Sequence, residues 1–416
     1  MSRSDRNIID GRVSWRKTFT ALRYPNYRLW FSGQLTSLFG SWMQTTAQGF
    51  LIFELTRSPA FLGYVGFAAG IPTWLITLYA GGVADRMARR RLMILTQSAM
   101  MLLAFISAGL VFGGLVRPWH VIVLAFAFGA ANAFDAPARQ ALVHDLVEAE
   151  DLTNAIALNA AMFNTSAALG PAVGGITYAL FGPGWCFVIN GLSFIAVIAA
   201  LAAMRLPAHV RPERPSSLLS EIREGLRYTR NHVMIRTLIG TILMISLFGF
   251  AFVTLIPAWA VQILHGGPAT NGFLTSVRGV GALTSALLIA SLGRFKFRGR
   301  LLTLGGLTFP ILMIVFSFVR SRLLAYLVLF AAGFALTLVF NLANASVQTL
   351  TDPRFRGRVM AIYSLSFFGA MPVGAILIGW LATHFGEPFA VVATSSVALV
   401  YMIAITLFEP GLRRLH

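Results

Sequence analysis

The chain has 416 residues, of which 57% are hydrophobic and only 12% are charged, with a net charge of +18 at pH 7. Soluble domains carry about 25% charged residues, so a water-soluble fold has too few polar groups to cover this much apolar surface. The composition therefore excludes a soluble globular protein and predicts an all-α polytopic membrane protein, as the runs described next require.

Twelve continuous apolar runs are long enough to cross a bilayer, because about 20 helical residues span ~30 Å of hydrocarbon. Strands of a membrane barrel alternate in polarity over about 10 residues, and these runs do not, so we predict helices. The runs are 27–53, 60–81, 92–113, 119–137, 153–181, 185–204, 235–262, 270–292, 301–319, 323–341, 357–382 and 388–408.

The basic residues are distributed unevenly over this topology. With both termini on one side, 28 of the 33 Lys and Arg lie on that side. Cytoplasmic loops carry such an excess, so we place both termini in the cytoplasm and the protein in the inner membrane. The charge then faces an anionic inner leaflet, and no nucleic-acid partner is needed to explain it. The remaining basic residues are Arg57, Arg117, Arg320 and Arg322 outside, and Arg278 within a span.

The chain divides into two halves of matching sequence. A shift of 209 positions carries the segment 37–40 (SLFG) onto 246–249 (SLFG). The same shift carries Asn132, Asp135 and Arg139 onto Asn341, Asn344 and Gln348. We predict an N-terminal tail (1–26), a first six-helix half (27–204), a linker with an amphipathic helix (205–234), a second six-helix half (235–408) and a C-terminal tail (409–416).

Two motifs resemble those of the major facilitator superfamily. The loop between the second and third spans resembles its G-x-x-x-D-R-x-G-R-R signature, through Gly81, Asp85, Arg86, Arg89 and Arg90, with Ala88 where glycine is usual. The fifth span resembles the G-P-x-x-G-G antiporter motif of its exporters, through Gly170, Pro171, Gly174 and Gly175. Residues 133–171 resemble more narrowly the branch that contains the enterobactin exporter and related multidrug or siderophore exporters.

The resemblance implies a fold of twelve transmembrane helices in two pseudo-symmetric halves. It implies a monomeric secondary active transporter, a proton-coupled exporter of a small amphipathic drug or siderophore-like compound by alternating access, driven by an ion gradient without a cofactor. An importer or uniporter, or a non-transporting sensor or scaffold, are the alternatives. No Walker loop, HExxH motif or His/Cys cluster supports an enzyme or a metal site.

The family also assigns roles to two helix ends. Its signature acid, here Asp85, holds the cytoplasmic side closed against the start of span 11, where Asp352-Pro353 predicts a helix N-terminus. The alternative is a solvated acid paired with Arg86 or Arg89, with the arginines serving as topology anchors. The family's coupling arginine in span 4 is replaced by Ala125, so its role does not carry over.

Polar residues inside the spans are candidate substrate contacts, because in lipid they must face protein or water. The first span carries a polar stripe that we expect to line a cavity, with hydrogen bonds to a neighbouring helix as the alternative: Gln34, Ser37, Ser41, Gln44 and Gln48. From the fourth and tenth spans we expect cavity contacts from Asn132, Asn341, Asn344 and Gln348.

Three charged residues in the spans need separate explanations. Asp135 is the first proton-coupling candidate, because burial disfavours the charged form of a carboxyl; a salt bridge with Arg139 would do the reverse. Glu54, near the outer end of span 1, is the second candidate or a rim residue. Arg278 is held by carbonyls, by an acid of the first half, or by a negatively charged part of the substrate, and we hypothesise the last.

Overall fold

The structure, a computed structural model, describes residues 19–204, 218–292 and 297–415, without the side chains of 77–86, 218–222 and 292. Most of the predicted N-terminal tail and residues 205–217 of the linker thus lie outside the description. Twelve long helices follow one another: α1 (Pro25–Thr56), α2 (Pro59–Arg86), α3 (Arg89–Phe112), α4 (Pro118–Leu146), α5 (Leu152–Phe181), α6 (Pro183–Ala203), α7 (Val233–Ile263), α8 (Pro268–Leu292), α9 (Arg298–Phe318), α10 (Arg322–Leu350), α11 (Arg356–Phe385) and α12 (Glu387–Phe408).

Each predicted span corresponds to one of these helices, and the predicted all-α membrane fold is confirmed. By length and composition, ten are apolar enough to cross a membrane. α1 and α5 are also long enough, with 32 and 30 residues. Large apolar side chains point outward, as a surface in contact with lipid requires; Leu180 is 69% exposed and Phe318 is 72% exposed.

Proline and glycine set the joints between helices in both halves. α4 and α6 begin with Pro118 and Pro183, where the missing N–H costs no helical hydrogen bond. α5 and α11 end at Gly182 and Gly386, both with φ of 86°, a conformation that residues with a Cβ rarely adopt. The repeat therefore extends to the connections.

The offset between equivalent residues changes along the chain. α3 has 24 residues and its counterpart α9 has 21, and the connection that follows is also shorter in the second half. From α4 onward the offset is therefore 204, since α4 and α10 begin at Pro118 and Arg322 and both have 29 residues. The packing agrees, because Gly129 lies against the Ala69 carbonyl and Gly333 against the Arg278 carbonyl.

This change of offset corrects the predicted equivalence of the two polar trios. At offset 204, Asn132 corresponds to Leu336 and Asp135 to Val339. The match at 209 is a coincidence, since the five-residue shortening lies upstream of α10. The second half therefore carries an apolar side chain where the first half buries a carboxyl.

The halves meet along two symmetry-related helix pairs, α5 with α8 and α2 with α11. Glycines allow the backbones to approach: a Cβ on Gly175 would lie 2.9 Å from the Cα of Gly272, and a Cβ on Gly379 would lie 3.1 Å from the Cα of Gly63. Between the two contacts a space remains, and the candidate site lies there.

The C-terminal part of α7 is not α-helical throughout. π-helical turns occupy Ile245–Gly249 and Trp259–Ile263, and a 3-10 segment occupies Phe250–Leu255. Pro257 contributes, because it has no N–H for the carbonyl four residues earlier. Irregular backbone at membrane depth is tolerated where it faces protein or a cavity.

The linker helix (Leu218–Asn231) docks on the cytoplasmic start of α11. The Arg358 guanidinium pairs with the Glu224 carboxylate, and the Tyr228 and Phe355 rings stack with centroids 4.6 Å apart. The Tyr228 hydroxyl accepts a hydrogen bond from the Asp352 N–H at 3.1 Å. These contacts connect the linker to one helix of the second half.

We expect Gly272→Ala to weaken the contact between the halves. Its Cβ would overlap the Pro171 carbonyl and lie 2.9 Å from the Cα of Gly175. Backbone atoms cannot swing aside as side-chain ends do, so we expect a cost of about 1–3 kcal/mol. Thermal unfolding of the purified protein in detergent should show a lower Tm.

Gly109→Ala is the matched control, because its added Cβ has nothing within 4 Å. Its higher helix propensity should leave Tm unchanged or slightly raised. Equal Tm values for the two variants would contradict the close approach of α5 and α8.

Candidate functional site

A cavity of about 260 Å³ lies between the two halves. α1, α2 and α4 line it from the first half, and α7, α8 and α11 line it from the second. On one side of it the halves touch: the Asn271 side-chain amide donates to the Thr46 carbonyl at 3.4 Å, and Gly49 faces Pro257. Both contacts come from the outer halves of their helices.

The repeat explains how the cavity wall is built. α2 contributes Leu62, Gly66 and Ala69, and at the offset of 209 α8 contributes Asn271, Thr275 and Arg278. The spacing i, i+4, i+7 places each trio on one helix face. The same face thus lines the cavity in both halves, but it is small and apolar in the first half and polar in the second.

The polar stripe of α1 faces mainly the interior of the first half, which corrects the prediction that all of it lines the cavity. Gln34, Ser37 and Gln44 are 1%, 2% and 4% exposed, and Ser41 is half-buried away from the cavity wall. Gln44 accepts a hydrogen bond from Asn190 of α6 at 2.7 Å, and Ser37 donates to Gln97 of α3 at 3.4 Å. Ser37 and Gln44 therefore follow the alternative prediction, because each is hydrogen-bonded to a neighbouring helix.

A neighbouring face of α1, which the predicted polar stripe does not include, lines the cavity instead. Of the predicted stripe only Gln48 contributes, together with Trp42, Thr45, Thr46 and Gly49. Their spacing is itself helical, and so is that of Asn271 and Thr275 with Arg278. These two stripes were the signals available in the sequence.

The wall from α7 is mainly aliphatic, although this helix is rich in aromatic residues. Phe250 lines the cavity with Ala251, Val253, Thr254, Ile256 and Pro257. Phe252 and Trp259 point away and pack on Phe316, with ring centroids 6.3 and 4.5 Å apart. The irregular backbone turns these rings into the core of the second half.

Asp135 lies inside the first half and not at the cavity wall. It is 0% exposed, and its Oδ1 accepts hydrogen bonds from Thr96 Oγ1 and Gln97 Nε2, both at 2.9 Å. An Arg139 guanidinium nitrogen is 3.9 Å from Oδ2, which has no hydrogen bond. With Ser37 these residues form a polar cluster joining α1, α3 and α4.

The polar residues at the cytoplasmic ends of α4 and α10 lie apart from the cavity wall. Asn132 and Asn341 are exposed, and the Gln348 amide donates to Asn344 Oδ1 at 2.6 Å. Asn132 follows Phe128 by one turn on the same helix face, so it lies beyond the cavity toward the C-terminal end of α4. The structure thus places these residues toward the C-terminal ends of α4 and α10.

Arg278 lies in the cavity wall. Its side chain is 8% exposed, and within the described ranges no carboxylate lies within 4.0 Å of it and its Nε has no hydrogen-bond partner. Its guanidinium carbon lies 5.4 Å from the centre of the Phe250 ring. Among these contacts of the described residues, Arg278 has neither a hydrogen bond to a carbonyl nor a salt bridge to an acid of the first half, the two structural explanations given above.

The signature loop is described in part. Gly81, Asp85 and Arg86 belong to the last turns of α2, and their side chains lie outside the description. Arg89 donates to both carboxylate oxygens of Asp145 at 2.7 Å, and Arg90 donates to the Ala202 carbonyl at 2.6 Å. Both arginines therefore connect helices of the first half.

The predicted N-cap of α11 is wrong. α11 begins at Arg356, and the Asp352 side chain accepts a hydrogen bond from the Arg354 N–H at 2.9 Å. Asp352 closes a local turn in this way, a conformation that competes with helix capping. The helix start predicted to receive Asp85 thus lies three residues later and carries Arg354, Arg356 and Arg358.

The motif on α5 provides close packing on two sides. Cβ atoms on Gly170 and Gly174 would lie 2.7 and 2.9 Å from Trp42 and Met43 of α1, while Gly175 faces α8. The N–H of Ala172, next to Pro171, donates to Ser276 of α8 at 2.7 Å. The motif therefore packs α5 against α1 of its own half and against α8 of the other half.

Glu54 lies at the outer rim, exposed, and accepts a hydrogen bond from the Tyr178 hydroxyl. Among the described residues no group of three His, Cys, Asp or Glu side chains is placed to hold a metal ion. A second buried carboxyl, Glu387, was not singled out from the sequence; it is 5% exposed at the start of α12.

Comparison with known proteins agrees with this architecture. The profile of the transmembrane secretion effector family matches residues 16–413, almost the whole chain. The chain belongs to this family. It is a membrane transporter with the major facilitator fold, and the enzyme alternative is set aside.

Two relatives cover nearly the full length of this transporter. It is 23% identical to the staphyloferrin A transporter of Staphylococcus aureus, over 91% of this chain and 94% of the relative. It is 27% identical to the multidrug efflux pump Tap of Mycolicibacterium fortuitum, over 92% of this chain and 95% of the relative. Both relatives move small molecules across membranes.

A solved structure matches the fold of this transporter. A bacterial homologue of the human lysosomal transporter Spinster, in an inward-facing and occupied conformation, superimposes with a TM-score of 0.73. The match covers 94% of this chain and 98% of that chain, at 13% sequence identity. At this identity the likeness concerns the fold alone.

The two aspartates of α4 that pair with arginines, Asp135 and Asp145, should differ in importance for stability. Asp135 is buried and accepts two further hydrogen bonds, so Asp135→Ala should cost about 1–3 kcal/mol by leaving buried donors unsatisfied. Asp145→Ala breaks an exposed pair with Arg89, worth about 0.2–1 kcal/mol. The Tm in detergent should fall clearly more for Asp135→Ala; a larger fall for Asp145→Ala would contradict this.

Proposed function

We propose that this transporter is a proton-coupled exporter of small amphipathic compounds, drug-like or siderophore-like, working by alternating access. The observation that carries this proposal is a cavity lined by equivalent helix faces of two related halves. A binding space at such an interface becomes accessible from either side when the halves rock against each other. The direction of transport is supported by the family's description as secretion effectors and by an efflux pump among the relatives.

The contacts around the cavity are those of an inward-facing state. On the outer side the halves touch through the Asn271–Thr46 hydrogen bond and through Gly49 and Pro257. On the cytoplasmic side Asn132 and Asn341 are exposed. A compound would enter from the cytoplasm, pass these amides and reach the mainly apolar cavity. This orientation has both termini inside and the basic loops at the anionic inner leaflet of the inner membrane.

The cavity chemistry suits a compound with an apolar body and few polar groups. Its volume of about 260 Å³ is just below the ~300–1,000 Å³ of typical ligand pockets. A small compound, or one portion of a larger one, fits this state. Nothing in the proposal requires a second copy of the chain, since the cavity lies within one monomer.

Asp135 is the coupling group in this proposal, with Glu54 as the weaker candidate because it is exposed at the rim. Arg139, Thr96 and Gln97 stabilise the carboxylate in the present arrangement. Because Asp135 and these donors all belong to α3 and α4, proton uptake and release would require a rearrangement within the first half during the transport cycle. Protons would then drive export without a cofactor.

Transport in proteoliposomes with an imposed pH gradient tests export. A panel of anionic, neutral and cationic amphipathic fluorescent dyes should include at least one that accumulates against its gradient, and a protonophore should abolish the accumulation. Transport that ignores the pH gradient would instead indicate a uniporter, and no flux of any dye would indicate a sensor or scaffold. Asp135→Asn should uncouple transport from the gradient, whereas Asp145→Asn should not.

The gate role of Asp85 has a separate test. An anion near the start of α11 gains ~0.3–1 kcal/mol from the helix dipole, and Arg354 and Arg356 lie there as well. Asp85→Asn should therefore shift the population toward the inward-open state by a factor of about 2–5. Spin labels on the cytoplasmic ends of α4 and α10, in a Cys186→Ser background, would report the shift. An unchanged distance distribution would leave the loop as an anchor only.

A further inference from the structure

Among the described residues that line the cavity, Arg278 is the only ionisable one. A positive charge that is 8% exposed and has no carboxylate within 4.0 Å, in the part of the chain that the structure describes, is electrostatically unfavourable. The Phe250 ring, 5.4 Å away, offsets only part of this cost. The described lining therefore provides no counter-charge for the Arg278 guanidinium, and a bound anion could supply one.

The packing holds Arg278 in place. Its backbone carbonyl lies against Gly333 of α10, and a Cβ on Gly333 would also lie 3.1 Å from the Arg278 Cγ. The stem is thus confined between α8 and α10 while the guanidinium reaches the cavity. The guanidinium cannot turn to lipid without losing this packing.

Three of the four threonine hydroxyls in the described wall already donate within their own helices, and the fourth, Thr254, is uncharged, so Arg278 is the charged donor of this wall. Thr45, Thr46 and Thr275 donate their hydroxyl protons to carbonyls of their own helices, at 2.9–3.0 Å. The Gln48 amide is directed to the Val121 carbonyl at 3.5 Å. These hydroxyls can accept from a ligand but have no proton free for it, whereas the guanidinium presents a forked set of donors that matches a carboxylate.

We propose that the cavity binds the anionic end of an aromatic or amphipathic carboxylate through Arg278, and that organic anions are preferred over organic cations. The apolar body of the compound lies against Phe250, Trp42 and Phe128, which line the same space. A cationic compound meets a like charge and, among the described lining residues, no acid. The inference rests on the proposed transport function for its physiological meaning, but its test is a binding measurement.

The test uses the purified full-length protein in detergent and three probes with one ring system: 2-naphthoate, its neutral carboxamide and 2-naphthylmethylammonium. Isothermal titration should give naphthoate the lowest Kd. In Arg278→Gln the Kd of naphthoate should rise about 10- to 100-fold, as expected for the loss of a charge-assisted pair. The Kd of the carboxamide should change less than about twofold, within the scatter of a neutral contact. Arg278→Lys should retain part of the preference for the anion, since it keeps the charge and loses the fork.

Two further measurements separate this result from misfolding and from failure of the transport proposal. Arg278→Gln should unfold at the wild-type temperature or above, because an unpaired buried charge has been removed. Arg320→Gln, which removes an arginine bonded to carbonyls of the α9 end, should leave all three Kd values unchanged.

Naphthoate that does not bind, or binds no better than the carboxamide, or keeps its preference in Arg278→Gln, overturns the anion site. Proton-driven export of neutral dyes would in that case still stand. If naphthoate binds through Arg278 but no dye crosses the proteoliposome membrane, the anion site stands and the transport proposal fails.

Discussion

The structure depends on close backbone contact between its two halves. In lipid, apolar side chains gain little from leaving their surroundings, so helices associate where small residues let their backbones approach. Here the approach occurs at Gly175 with Gly272 and at Gly63 with Gly379. Because these contacts lie on opposite sides of the molecule, they hold the halves together and leave the cavity between them.

The halves share a backbone plan but differ in polar chemistry. The first half buries Asp135 among donors from α3 and α4, whereas the second half has Val339 at the equivalent position. The second half places Arg278 in the cavity wall, whereas the first half has Ala69 there. At each of these two positions one half carries a charge that the other lacks. In the proposed mechanism, one serves proton coupling and the other binds the substrate.

The role of Arg278 is visible in the sequence only in part. An arginine well inside an apolar run was visibly costly, and the hypothesis of a ligand contact followed from that cost. Its partners could not be read from the run, because they lie on α7 and α10, distant in the chain. The α1 stripe shows the opposite case, since a polar helical face satisfied by Gln97 and Asn190 resembles in sequence one that lines a cavity.

The sequence by itself determined the twelve helices and the two related halves. The bilayer sets the length and apolarity of each span, and neither depends on which helices pack around it. Only the tertiary structure decided which face of each helix meets the cavity, since the rotation of a helix about its axis depends on what packs around it. It also decided the offset of the repeat after α3, where a shortening of five residues separates Asp135 from its apparent counterpart. The tertiary structure also decided the irregular turns of α7, because a π-helical turn forms in response to packing and the composition of the segment does not reveal it.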